Sequence, residues 1–354
     1  MSKPDPVWHV LDDALRVRVS RRELLKIAAG LGIGATATGL LGACGGQQQS
    51  GESGTWRIAV PELKADSVFQ GLGIAKGFFE EEGIDAELVP IASGTTSTRA
   101  LISGEVEMAT AGPPPFFAAM AQRQDIRIIG SIFTTVPHLM YVREDIDSLE
   151  DLLGQSVAGG ETGALLQSLA YAVIEQEGLD PNAVSYVNVG GSPDVFQSIV
   201  GGNTAGGVAG PDFTLQIEAD PSLPVKVLFP VADRLPDYLR NADVVTGEML
   251  EENRDLVVRA TAAYVRGARY AVENKDEAVA WIVENTEDDD ETTAAAIYDE
   301  YVNRGLVNTG YLITEQLTEF TQQVGVDTGA LDSVLPYEEV ATDEIATEAI
   351  NRLG

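Results

Sequence analysis

Cysteine is almost absent from this chain: there is one among 354 residues, Cys44. That excludes a disulfide framework and any metal site built from several thiolates. Histidine is nearly as scarce, with only His9 and His138, so the chain lacks the material for a Cys–His catalytic pair or a multi-histidine metal cluster. No metal or cofactor is expected. Basic residues are few, 23 Lys and Arg against 55 Asp and Glu, for a net charge of −32. This excludes the basic footprint that nucleic-acid binding needs, and docking by charge onto an anionic membrane. Aromatic residues make up 6% and mean hydropathy is near zero, which excludes a polytopic membrane protein. The 44% hydrophobic content is still too high for a disordered chain and suits two domains, each with its own core.

What is present begins with an address. Ser20-Arg21-Arg22-Glu23-Leu24-Leu25-Lys26 precedes a Gly/Ala-rich apolar run over 27–42. That run is too short and too interrupted by Gly for a comfortable membrane span. The segment resembles a twin-arginine export signal, with Leu24 where Phe is commoner, and Leu41-Gly42-Ala43-Cys44 resembles a lipobox. The resemblance implies that 1–43 is a signal peptide removed before Cys44, whose thiol then carries lipid. The alternative is an unprocessed N-terminal helix. Removing 43 of 354 residues leaves 311, with 17 Lys and Arg against 51 Asp and Glu, a charge of −34. Such a surface repels itself unless salt screens it, which points to a high-salt organism. Residues 44–55, rich in Gly, Gln and Ser, read as a flexible tether. The protein is expected on the outer face of the cytoplasmic membrane, held there by two or more acyl chains.

The remainder contains an internal echo. Ile58-Ala59-Val60-Pro61 returns as Val157-Ala158-Gly159-Gly160, and Glu82-Gly83-Ile84-Asp85 as Glu177-Gly178-Leu179-Asp180. The run 88–94 returns at 186–192, Gly104 at Gly202, and Ala111-Gly112-Pro113 at Ala209-Gly210-Pro211. Each match is weak, but their order and spacing are nearly constant. Each copy reads strand, loop, helix, strand, loop, helix, strand. Residues 57–60 and 86–91 are strand-like, and 68–82 is apolar near helical spacing, closed by Gly83. Alternation of this kind implies mainly parallel sheets with right-handed crossovers, and ligands at the carboxyl ends of the strands. Two such copies facing each other make a hinged binding protein.

The run 73–112 (Ile-Ala-Lys-Gly-Phe-Phe-Glu-Glu-Glu-Gly-Ile-Asp, then Ser-Gly-Thr, Leu-Ile-Ser-Gly-Glu-Val-Glu-Met-Ala and Gly-Pro-Pro) resembles ABC-transporter substrate-binding proteins. The particular family is the one that takes sulfonates, taurine, nitrate or thiamine-pyrimidine precursors. Ser148-Leu149-Glu150-Asp151-Leu152-Leu153-Gly154-Gln155-Ser156-Val157-Ala158 is similar to the start of that family's second lobe, and 249–274 to its helical return segment. The resemblance implies an α/β fold of the periplasmic-binding-protein type II kind, two lobes joined by a two-strand hinge, with C-terminal helices. One lobe would comprise 56–137 plus 244–354, the other 138–243. Leu256, Ala260, Tyr264, Ala268 and Ala271 form one apolar stripe suited to a supporting helix.

Candidate ligand residues follow from the loops at the strand ends. Ser93-Gly94-Thr95-Thr96 would open a helix near Ser97 and present backbone N–H groups and hydroxyls to a ligand. Ordinary N-capping by Thr95 or Thr96 is compatible with this. Gly112-Pro113-Pro114-Pro115 reads as a rigid rim whose carbonyls, with Phe116, face the cleft, or as a plain turn. Glu161-Thr162-Gly163 would open the second-lobe helix, and Gly210-Pro211-Asp212-Phe213 mirrors the first rim; Ser192 stands at the matching helix start. The only cation in these loops is Lys64, against Asp66, Glu161, Asp194 and Asp212. Phe69, Phe116 and Phe213 could sandwich a flat ring. The expected ligand is therefore neutral or cationic and heteroaromatic, unless the acids are simply a halophilic surface. His138, beside the hinge, reads as structural in preference to ligand-binding, and Asp288-Asp289-Asp290 as a solvated acidic loop without EF-hand spacing.

The expected function is a lipid-anchored, monomeric solute receptor that delivers its ligand to an ABC permease driven by a cytoplasmic ATPase, and is not an enzyme. The alternatives are a receptor serving a signalling partner and an enzyme like the pyrimidine-precursor synthases, which would need a catalytic His and a cytosolic address.

Overall fold

Residues 55–91, 93–287 and 290–354 are described by the computed structural model. Arg21 and Arg22, the lipidation position Cys44, the tether up to Gly54, and Asp288 and Asp289 lie outside the described residues. The chain divides into two units, Met1–Gly51 and Glu52–Gly354, and the second carries everything below.

Strand β1 (Trp56–Val60) shows why the chain layers as it does. Ile58 and Val60 enter one apolar core with Phe69, Phe79 and Tyr264, while Ala59 enters another with Leu101, Phe117 and Ile128. Successive side chains point to opposite faces, so a strand with apolar residues on both faces must be covered on both. The second half repeats this. Val157 faces a core with Met140, Val142 and Leu169, and Ala158 faces one with Tyr141, Val195 and Phe196.

The other strands are β2 (Ala86–Pro90), β3 (Met108–Ala111), β4 (Ile126–Gly130), β5 (Leu139–Arg143), β6 (Ser156–Gly159), β7 (Ser185–Asn188), β8 (Gly206–Ala209), β9 (Val225–Pro230) and β10 (Ala242–Thr246). They form two five-stranded sheets, ordered β2-β1-β3-β10-β4 and β7-β6-β8-β5-β9. In the first, β1 lies parallel to β2 and β3, whereas β10 is antiparallel to β3 and β4. In the second, β6 is parallel to β7 and β8, and β5 is antiparallel to β8 and β9. The two orders are the same. The chain passes from the first lobe to the second between β4 and β5, and back between β9 and β10. The repeated loop glycines also match: Gly83 and Gly178 have φ of +73° and +77°.

The helices are α1 (Val68–Ala75), α2 (Gly94–Ile102), α3 (Pro114–Ala121), α4 (Leu165–Gln176), α5 (Ser192–Val200), α6 (Phe213–Ala219), α7 (Arg254–Glu273), α8 (Lys275–Asn285), α9 (Glu291–Asn303), α10 (Glu315–Asp327) and α11 (Glu344–Leu353). The helix expected over 68–82 is broken. It ends at Ala75, Gly77 takes φ +77°, and a short turn Phe78–Glu81 follows. The stripe of α7 packs against α1, and the two backbones meet so closely that a Cβ on Gly73 would stand 2.7 Å from Gly267 Cα. Helix α10 touches both lobes: Leu317 and Val326 join the first lobe's core, Phe320 and Val324 the second's. No helix among the described residues is long and apolar enough to cross a membrane.

Candidate functional site

The two connections between lobes run side by side. Asn241 N–H donates to Phe133 O at 3.1 Å and Arg240 N–H to Thr134 O at 3.4 Å, while Val231 N–H donates to His138 O at 2.9 Å. The return strand is braced from behind, since Leu239 N–H donates to Thr321 Oγ1 of α10 at 2.8 Å. Above this paired base lies a cleft of about 210 Å³.

Each wall has an origin in the fold. The loop after β1 supplies Lys64, Asp66 and, from α1, Gln70; α9 supplies Ile297 and Tyr301. The second lobe supplies Leu165, Ser192 and Gly210-Pro211-Asp212, and the connections supply Pro137, His138, Arg240 and Asn241. Ser192 Oγ accepts from Gly210 N–H at 3.1 Å, and Tyr141 Oη donates to Gly210 O at 2.9 Å, so the second-lobe rim is held from both sides.

The base is polar and tightly ordered. Arg240 Nη2 donates to Asp66 Oδ2 at 2.5 Å, and Tyr301 Oη donates to the same oxygen at 3.1 Å. The guanidinium lies 4.4 Å from the Phe133 ring centroid and 5.4 Å from that of Tyr301. A charge-assisted pair in low dielectric, flanked by aromatic faces, is held rigidly. Burial, then Arg240, push His138 down to about 3 despite an opposing pull from Asp66, so the imidazole is neutral. Burial alone would lower Lys64, but its hydrogen bond to Glu62 and the nearby Asp212 and Asp66 raise it. Beneath the cleft, Gln70 Nε2 donates to Tyr264 Oη at 3.0 Å and to Thr110 Oγ1 at 3.4 Å. Beside Thr110, burial raises the Asp243 carboxyl to about 7 against the pull of Thr110, Tyr311 and the Ile132 amide.

Of the residues singled out from the sequence, Asp66, Gly112, Ser192 and Asp212 line this cleft. Others lie elsewhere, for physical reasons. Helix α2 starts at Gly94, not near Ser97, and its cap is Ser93, whose Oγ accepts from Thr96 N–H. Ser93, Thr95 and Thr96 are exposed, and Gly94 sits against Pro115. Pro113 is buried, and its carbonyl is taken by Phe116 and Phe117 N–H, closing the first turn of α3, so it does not face a ligand. Glu161 and Thr162 are exposed, Gly163 has φ +78°, and α4 begins two residues later. The phenylalanine sandwich does not form. Phe69, Phe116 and Phe213 belong to three different cores, Phe69 behind Tyr301 and Phe213 stacked on Phe196 at 4.7 Å. Apolar rings in these positions gain more from burial than a cleft surface offers.

Arg240, Tyr301 and Gln70 were not singled out. Arg240 stands 174 residues from Asp66 in the chain, and Tyr301 belongs to a C-terminal helix whose apolar stripe reads as ordinary packing. The one local signal is Arg240 after Tyr238-Leu239 in the return connection, which also carries Arg234, Asp233 and Asp237. With it, the cleft holds Lys64 and Arg240 against Glu62, Asp66 and Asp212, closer to balance than the loops alone suggest.

Two lobes of identical strand order, joined by paired connections with a polar cleft between them, define the periplasmic-binding-protein fold. A family model described as NMT1/THI5 like matches residues 69–278, and the chain belongs to that family. It is similar to the formylaminopyrimidine-binding protein of Halalkalibacterium halodurans, 25% identical over 225 residues, spanning 62% of this chain and 67% of that one. The aliphatic sulphonate binding protein SsuA from Escherichia coli has a similar structure. Its TM-score is 0.64 at 15% identity, covering 80% of this chain and 91% of its own. The desulfurization enzyme DSZB shares the fold as well, at TM-score 0.58 and 15% identity, covering 85% of this chain and 99% of its own.

Proposed function

We propose that the protein captures a small organic solute in the inter-lobe cleft and delivers it to an ABC permease with a cytoplasmic ATPase. The observation that carries this is the composition of the cleft wall, which draws on both lobes and both connections at once. A ligand touching all four binds the closed arrangement best and shifts the population towards it. The lobes in this reading are 56–137 with 242–354, and 138–241; the return falls two residues before the 243/244 boundary expected from the sequence, because Ala242 and Asp243 already pair in the first sheet. The chain acts outside the cytoplasm, anchored through a lipid on Cys44 after export directed by Arg21 and Arg22, and its charge suits a saline environment.

The ligand class we propose is a neutral or cationic heteroaromatic molecule, such as an aminopyrimidine. Arg240 is already paired with Asp66 and Lys64 with Glu62, and Asp212 faces the same space; an added sulfonate would meet net negative charge. The relative from Halalkalibacterium halodurans, named for a formylaminopyrimidine, supports the same class.

Titration calorimetry with a formylaminopyrimidine and with an alkanesulfonate tests this. The expected result is an affinity between micromolar and nanomolar, roughly −8 to −12 kcal/mol, for the aminopyrimidine. Tight binding of the sulfonate alone overturns the ligand class. Turnover of bound compound, followed by mass spectrometry, would favour an enzyme like DSZB.

A further inference from the structure

Two nitrogens at the base of the cleft have nothing to bond. Arg240 and His138 each retain 9% exposure and both line the cleft. Arg240 Nη1 and His138 Nδ1 are themselves closed to solvent in this arrangement, and they have no hydrogen-bond partner among the described residues. Buried donors left unmade are costly, and folded proteins keep few of them. Two on facing connections, at the floor of one cleft, call for a partner from outside the chain.

The geometry says what kind. The guanidinium is held on two sides: Asp66 accepts from Nη2, and the Phe133 and Tyr301 rings, set edge to face with each other, pack against it. Nη1 is the arm left over, a donor whose formal charge is already met. The imidazole beside it is neutral, so Nδ1 can donate or accept without carrying charge. The surrounding wall is apolar at Leu165, Pro211 and Ile297 and acidic at Asp212. We propose that Arg240 and His138, one on each connection, form the recognition edge of the site. Arg240 Nη1 donates to a ring nitrogen or carbonyl oxygen of an uncharged planar ligand, and His138 Nδ1 meets the polar atom next to it. This rests on the solute-binding reading above and names the ligand's edge: an acceptor flanked by a second polar atom, as in an aminopyrimidine or an amide. Because both residues ride on the segments about which the lobes turn, a rotation there brings the two nitrogens to the ligand. Occupancy at that edge then favours closure.

The test uses calorimetry and thermal melting on wild type, Arg240→Lys, His138→Phe and His138→Asn, with the aminopyrimidine and alkanesulfonate probes. Lys keeps the charge opposite Asp66 but lacks the second arm of the fork. Phe removes Nδ1 and leaves the ion pair intact. Expected for Arg240→Lys and His138→Phe is a loss of affinity for the aminopyrimidine of about tenfold or more, the loss of one good hydrogen bond. The ligand-free melting temperature should hold in Arg240→Lys, and hold or rise in His138→Phe. His138→Asn, whose amide nitrogen reaches the Nδ1 position, should recover part of the binding, which a packing role would not explain. Wild-type affinity in both Arg240→Lys and His138→Phe overturns the recognition edge and leaves the solute-binding role standing. If wild type prefers the alkanesulfonate, or binds neither probe, the ligand class falls and this inference with it.

Discussion

The two lobes share a strand order, yet they use equivalent loops for opposite purposes. In the first lobe the loop after β1 reaches the cleft with Lys64 and Asp66, while the start of α2 stays outside, closed off by Pro115. In the second lobe the loop after β6 leaves Glu161 and Thr162 in solvent, and the start of α5 with Gly210-Pro211-Asp212 does the reaching. The first half therefore presents a lysine and a carboxylate pinned to Arg240 of the return connection, and the second a hydroxyl, a backbone rim and a carboxylate. The repeated topology supplies two sets of rims; the side chains decide which rim becomes a wall.

The largest effect should come from the ion pair that ties the first lobe's Asp66 to Arg240 of the return connection. Asp66→Ala leaves the Arg240 guanidinium without its carboxylate, where side-chain exposure is 11% on the arginine. Removing one partner of a buried pair costs about 3–5 kcal/mol, measurable by urea unfolding, and ligand affinity should fall with it. A loss below about 1 kcal/mol would mean that water already screens the pair as it does at a surface, and the contrast between a rigid and a pliable wall would disappear.

A second contrast lies under the cleft. Register places Asp243 opposite Thr110 in the first sheet and Met140 opposite Val208 in the second, so a carboxyl occupies the position that a thioether fills in the other lobe. Burial raises Asp243 to about 7 from 3.8. A raised folded value means that the native state holds the proton more tightly. The contribution to stability is therefore complete below about pH 4 and is lost as pH rises through 7, up to about 4 kcal/mol for a three-unit shift. Asp243→Asn should flatten that slope and melt higher than wild type at pH 8. An unchanged pH profile would show that the carboxyl is ionised and satisfied in the fold.

The echo explains how much could be read before any coordinates. The succession of strands and helices in each half, the loop glycines and the rims after β3 and β8 follow from Gly83 and Gly178, Ala111 and Ala209, because repeated backbone geometry leaves repeated residues; the order of the strands across each sheet does not. The floor was not legible, for the same reason. His138 can be placed beside the hinge from the sequence but reads there as structural, whereas Arg240 and Tyr301 come from the return connection and a C-terminal helix, segments outside the repeat, and tertiary contact alone brings them to Asp66. The proline rim misled because Pro fits the first turn of a helix as well as it fits a loop. The three phenylalanines misled because spacing does not say which side of a sheet an apolar ring will choose.

Packing at the centre of each sheet gives a smaller effect of known sign. Gly207 in β8 stands where β3 has Ala109, and a Cβ there would lie 2.6 Å from Val195 Cγ1 and 2.8 Å from Ala158 O. The first lobe has Ser97 where the second has Val195, which leaves room for Ala109. Gly207→Ala should cost about 1–3 kcal/mol by overpacking. Adding Val195→Ala should recover part of it, a favourable coupling between touching sites. Strict additivity in thermal melts would locate the strain at the Ala158 carbonyl instead.

The smallest effect concerns the loop that the second lobe leaves in solvent. Glu161 is exposed and contributes nothing to the cleft wall, so Glu161→Gln should keep ligand affinity within about twofold and stability within about 0.5 kcal/mol, as surface substitutions do. Its neighbour Gly163 is less free, since a Cβ there would meet Ala330 at 3.1 Å, so the loop is already seated against the C-terminal segment. Calorimetry on Glu161→Gln therefore decides whether that seating survives closure. A tenfold change in affinity would mean that the loop swings into the cleft when ligand binds, and that both lobes use their first loops after all.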